Sequence, residues 1–308
     1  MRFLARFAWG VLAYDVAVIA WGGLVRATGS GAGCGQHWPT CNGQVVPRSP
    51  LAATAIEYTH RASSGIAFLL VVALAVWAWR ALPRGHVARR TALLGVLFMV
   101  TEALLGAGLV LFGWVAKDAS AGRGWAMALH LVNTLLLLAS LALTAVWASR
   151  PPAARASLPP LVVVGLAAMV VAAVTGAVAA LGDTLYPARS LVEGLRQDLD
   201  ASSHLLLRLR LLHLPAALAT AALLVGAAAL VARARPAPAV RRGAAWVTLL
   251  VVTQLAAGAL NLALLAPVWL QVTHLVLADL LWIAAVLLAA EVAGTAGDPA
   301  RQLLSSWT

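Results

Sequence analysis

The chain has 308 residues, of which 62% are hydrophobic and only 11% are charged, against a charged share of about 25% in soluble proteins. With a mean hydropathy of +0.89, this composition excludes a soluble globular domain, a disordered segment and a fibrous protein, and places the chain in the membrane class. The net charge of +11 does not describe a nucleic-acid surface, because the arginines sit in short clusters between apolar runs and form no continuous basic face.

A bilayer core about 30 Å thick needs roughly 20 apolar residues in a helix. Eight stretches come close to that requirement, at approximately 8–25, 57–79, 91–114, 126–148, 160–181, 204–232, 244–264 and 270–292. The runs are continuously apolar and too long for alternating barrel strands, so helices are expected. Breaker residues separate them, as in Leu82-Pro83-Arg84-Gly85, Arg150-Pro151-Pro152 and Arg233 to Pro238. The first run follows Arg2 and Arg6, but no small-residue cleavage pattern closes it, and it reads as an uncleaved span.

Eight spans put both termini on one side. The termini and the even-to-odd connections hold Arg2, Arg6, Arg80, Arg84, Arg89, Arg90, Arg150, Arg155, Arg233, Arg235, Arg241, Arg242 and Arg301. By the positive-inside rule this side is cytoplasmic.

The two halves of the sequence resemble each other. Trp125 and His130 open the fourth span as Trp269 and His274 open the eighth, five residues apart in both. Thr101-Glu102 and Gly106 in the third span match Thr253-Gln254 and Gly258 in the seventh, while His60 and His213 belong to the second and sixth. A histidine on every even span points to a four-helix unit used twice, residues 1–150 and 151–308, as two tandem bundles related by a pseudo-two-fold repeat.

Those four histidines carry the chemistry. His37, His86 and His204 fall in loops or at a span edge and read as solvated side chains. His60, His130, His213 and His274 share a similar depth in the outer part of the membrane, where an ionisable group is costly and points to function, with interhelical hydrogen bonding as the plain alternative. Imidazole is a common metal ligand and haem iron takes axial ligands from opposite faces, so His60 with His130 and His213 with His274 suggest two haem sites. Zinc and di-iron fit less well: neither half clusters three or four ligands, and the second half lacks a partner for the Glu57 to His60 spacing.

Glu57 lies one helical turn from His60 and also four residues before Arg61, so a site carboxylate and an ordinary ion pair are both open readings. The position matching Glu57 is Arg210, with Arg208 nearby, and cations at that depth suit haem propionates. This asymmetry favours a reactive first half and a permanent cofactor in the second. Glu102 and Asp15 also fall inside spans, and a helix-packing hydrogen bond is the default for Glu102. Cys34 and Cys41 sit in the first outer loop with six residues between them, among glycines and Pro39. On the outer side a disulfide persists, either as a loop staple or, if exposed, as a reducible redox bridge.

Gly22-Gly23-Leu24-Val25-Arg26-Ala27-Thr28-Gly29-Ser30-Gly31 running into Cys34, then Trp38-Pro39-Thr40-Cys41-Asn42-Gly43-Gln44, and Glu57-Tyr58-Thr59-His60-Arg61 together resemble the haem A synthase family, over essentially the whole chain. The resemblance implies an oxidoreductase that converts the C8 methyl of haem O to a formyl group by successive hydroxylations. It implies Glu57 as catalytic, His60 and His130 as substrate haem ligands, and His213 and His274 as haem b ligands. The implied partners are haem O, the haem O synthase that supplies it, an unidentified electron carrier and lipid of the cell membrane, with a homo-oligomer left open. Two departures stand out: residues 182–203 lack a second cysteine pair, and His213 is followed by Leu214-Pro215 instead of arginine. A di-haem cytochrome b electron carrier and a solute transporter are the competing readings.

Overall fold

The computed structural model describes residues 2–48, 51–150 and 157–295. All its regular elements among these residues are helices: α1 (Arg2–Ala27), α2 (Ala52–Ala81), α3 (Val87–Leu111), α4 (Ala121–Trp147), α5 (Pro160–Leu185), α6 (Leu191–Leu199), α7 (Leu205–Arg210), α8 (His213–Ala234), α9 (Pro238–Ala263) and α10 (Val268–Thr295). Eight segments are long and apolar enough to cross a membrane, with α7 and α8 forming one of them at Leu205–Ala234. The chain is a multi-pass membrane protein. Its helices run several residues beyond the apolar stretches, because backbone hydrogen bonding continues into the interfacial region after the hydrocarbon core ends.

In the first half α1 packs on α2 and α4, and α3 packs on α2 and α4. In the second, α8 packs on α5 and α9, and α9 packs on α10. The halves meet where α1 and α4 lie against α5 and α10. Leu4, Ala8, Leu138, Leu141, Ala142 and Val292 are among the fully buried side chains, as expected where helices associate by packing in lipid. Among the described residues, Trp282, Arg150 and Arg26 make polar contacts between the halves. Trp282 Nε1 donates to the Leu135 carbonyl at 2.6 Å, and Arg150 pairs with Glu291. Arg26 reaches from α1 to the Ala180 carbonyl, the Thr184 hydroxyl and Gln271 Oε1 at 2.8, 2.9 and 3.0 Å. Residues 151–156, including Arg155 and the expected boundary between halves, lie outside the described residues, as does Arg301.

The sixth span is not one continuous helix. Pro215 has no N–H to donate to the Leu211 carbonyl and its ring crowds that carbonyl, so the chain turns at Leu211–Leu212 and restarts at His213. The connection between the fifth and sixth spans contains α6, whose N-cap Ser190 accepts from the Glu193 N–H at 3.2 Å. His86 departs from the solvated reading. It is 3% exposed, caps α3 by accepting from the Ala88 N–H at 3.2 Å, and places Nε2 3.2 Å from the Arg150 carbonyl.

Candidate functional site

Each of the four span histidines is seated against a glycine of the span before it. A Cβ built on Gly22 of α1 would lie 3.0 Å from the His60 ring, and one on Gly106 of α3 would lie 3.7 Å from His130 Nε2. In the second half a Cβ on Gly176 of α5 would lie 2.9 Å from His213, and one on Gly258 of α9 would lie 3.1 Å from His274. At Gly22, Gly176 and Gly258 the imidazole occupies the space a side chain would take, whereas at Gly106 the 3.7 Å separation is ordinary van der Waals contact. The sequence parallel registered Gly106 and Gly258 as matching residues, but their contact with the histidines depends on helix rotation.

His60 interacts electrostatically with His130, and His274 with His213. Nδ1 of His60 and Nδ1 of His274 are buried and have no hydrogen-bond partner among the described residues. His213 Nδ1 lies 3.3 Å from the Thr175 hydroxyl. No group of three histidine, cysteine or acidic side chains among the described residues is arranged to hold a bare metal ion. Two imidazoles without a third ligand, backed by glycine, fit a metal that brings its own equatorial ligands, as haem does.

The Glu57 carboxylate belongs to the cysteine loop. It is 3% exposed; Oε2 accepts from the Cys34 N–H at 2.8 Å, and Oε1 pairs with the Arg61 guanidinium. Arg61 in turn donates to the carbonyls of His37 and Thr40 at 2.5 and 2.7 Å. Cys34 and Cys41 form the expected disulfide. Both are essentially buried, at 0% and 1% exposure, so the exposed, readily reduced bridge entertained from the sequence is not what forms. The loop lies so close to α2 that a Cβ on Gly33 would be 2.5 Å from the Ala53 backbone, and the Thr54 hydroxyl donates to the Gly33 carbonyl at 2.8 Å.

Arg210 is already engaged. It donates to Asp183 Oδ1 at 2.6 Å and to Asp198 Oδ1 at 2.7 Å, which joins α7 to α5 and α6. Arg208 is exposed. Sequence reasoning passed over Arg123, which is 3% exposed and donates to the carbonyls of Ala116 and Asp118, each at 2.7 Å. It also passed over Asp279, buried on α10 with neither carboxylate oxygen bonded among the described residues. The helix-packing bond expected of Glu102 forms between α3 and α4, and it includes a span histidine: Oε1 lies 2.9 Å from His130 Nδ1.

A sequence profile described as cytochrome oxidase assembly protein, COX15-CtaA, matches residues 5–286. The chain belongs to this family. Proteins of two Thermus thermophilus strains named protoheme IX farnesyltransferase are 51% identical over 290 residues, 93% of this chain and 48% of theirs. The chain thus spans about half the length of these curated relatives. A protein of Halalkalibacterium halodurans named heme A synthase is 48% identical over 98 residues, 32% of this chain and 33% of its own. Another of that name, from an Exiguobacterium species, is 39% identical over 138 residues, 45% of this chain and 43% of its own. Membership places the paired histidines in a family whose description concerns cytochrome oxidase assembly.

Proposed function

We propose that this chain is a haem A synthase, oxidising the C8 methyl of haem O to a formyl group. The observation that carries the reading is the pair of glycine-backed histidines in each half, in a chain of this family. We assign His60 and His130 to the substrate haem O and His213 and His274 to a resident haem b, with residues 1–150 and 151–308 as the two working halves.

With water as the oxygen source, methyl to alcohol releases two electrons and two protons. A second hydroxylation releases the same again and gives a gem-diol that loses water to leave the aldehyde. A haem b held by His213 and His274 would supply one-electron redox capacity, with an electron carrier of the membrane as the acceptor. His60 and His130 would hold the substrate haem through their imidazoles. Gly22 lets the His60 ring withdraw into the neighbouring helix. Glu57 and Arg61 hold the Cys34–Cys41 loop against the outer end of α2. We assign the exposed Arg208 to a haem propionate, whereas Arg210 is free for one only by giving up Asp183 or Asp198.

Farnesyl transfer to protohaem is the second reading, favoured by the 51% identity to proteins of that name. Expression of the full chain in cells lacking their own haem A synthase, followed by haem extraction and chromatography, separates the two. Haem A is expected when a haem O source is present. Haem O formed without such a source would support the second reading, and unaltered haem in both cases would support an electron carrier.

We also propose cytoplasmic termini in the cell membrane, from the arginine distribution. A C-terminal alkaline phosphatase fusion is therefore expected to be inactive, and the same enzyme inserted in the first outer loop to be active. The opposite pattern overturns the orientation.

A further inference from the structure

The third and seventh spans present different side chains to the histidines they face. Glu102 Oε1 lies 2.9 Å from His130 Nδ1. The carboxylate also accepts from Asn133 Nδ2 and from the Thr134 hydroxyl, both at 2.5 Å. The Thr101 hydroxyl bonds Asn133 Oδ1, also at 2.5 Å, so the donors around the carboxylate are themselves fixed. A carboxylate only accepts, and next to it the imidazole nitrogen must carry the proton. At the corresponding place in the second half the residue is Gln254. Its Nε2 lies 3.3 Å from His274 Nε2, and among the described residues neither its Oε1 nor His274 Nδ1 has a hydrogen-bond partner. One histidine is gripped by an acid through the nitrogen away from its glycine contact. The other has a long contact with a neutral amide.

We propose that Glu102 is the positioning residue of the first site: it fixes His130 as the Nδ1–H tautomer and turns Nε2 toward the substrate iron, while Gln254 gives His274 no such anchor. The inference rests on the haem-site reading above. A ligating histidine whose other nitrogen donates to a carboxylate has its tautomer and orientation fixed and is a more basic ligand. More electron density at the iron stabilises its oxidised form, so the first site has the lower midpoint potential. That asymmetry favours electron loss from the half that binds the substrate.

The test uses the full-length chain in nanodiscs with ferric protohaem as the probe, and compares wild type with Glu102→Gln and Glu102→Asp. In protein without haem, nitrogen-15 NMR of labelled histidine is expected to show His130 as the Nδ1–H tautomer, lost in Glu102→Gln and kept in Glu102→Asp. With protohaem bound, the redox component that disappears in His130→Ala is expected to shift upward in Glu102→Gln, with the second component unmoved. Affinity at that site should fall by about 10- to 100-fold, the scale for losing the partner of a metal-ligating histidine. Glu102→Asp should restore part of each change, which a merely structural bond would not require of the potential. An unchanged tautomer, or an unchanged potential with haem still bound, overturns the proposal. If wild type binds no protohaem that depends on His60 and His130, the haem-site reading fails instead, and the tautomer measurement still decides whether Glu102 sets His130.

Discussion

Replacing His213 or His274 with alanine is expected to lower the haem content of the purified chain by about half and to remove one of its two low-spin bis-histidine components, because an axial position is lost at one of two sites. Replacing His60 or His130 is expected to leave that signal in place and abolish haem A formation. His213 interacts electrostatically with His274, and His60 with His130, and the His60, His213 and His274 rings fill space left by glycine. Alanine leaves that gap lined by Gly176 or Gly258 and supplies nothing to refill it. Gly176→Leu is a control with every histidine retained. Its side chain would occupy the space of the His213 ring, since even a Cβ there lies 2.9 Å from it, so it should mimic His213→Ala. Pyridine haemochrome content and low-temperature EPR read both effects. Full haem and an unchanged spectrum in the second-half variants would sink the assignment.

How much of this was legible beforehand follows from what hydropathy encodes. A run of about 20 apolar residues is set by composition alone, and all eight spans appear where the sequence places them. The histidine on each even span is a matter of spacing, and it too could be read directly. Contacts across helices were harder. Whether Glu102 meets a neighbouring backbone or the His130 ring depends on the rotation of α3 against α4, and alanine- and leucine-rich faces constrain that rotation weakly. The same holds for Gly22 against His60. The turn at Leu211–Leu212 was signalled by Pro215, although apolar residues continue through it and hide the break. Arg210 was recognisable as a cation at useful depth, but its capture by Asp183 and Asp198 needed α6, whose nine residues carry no membrane signal.

The remaining large effect concerns Glu57. Glu57→Gln keeps an oxygen that can accept from the Cys34 N–H but removes the charge paired with Arg61. Arg61 also holds the His37 and Thr40 carbonyls, so the pair fastens both ends of the disulfide loop to the turn of α2 that carries His60. We expect haem A formation to fall by about 10- to 100-fold, as for loss of a group that orients a metal ligand. Arg61→Gln should show a similar loss, since the two residues act as one unit. Both variants should also let a membrane-impermeant phosphine reduce Cys34–Cys41 faster than in wild type, because the loop that covers the bridge is no longer tied down. Haem b content should stay unchanged, as His213 and His274 are in the other half. A different result would return Glu57 to direct chemistry as an acid-base or electrostatic group: a loss of about 10²-fold or more in Glu57→Gln, with normal activity in Arg61→Gln and an unaltered rate of disulfide reduction. Normal haem A formation in Glu57→Gln would exclude both roles.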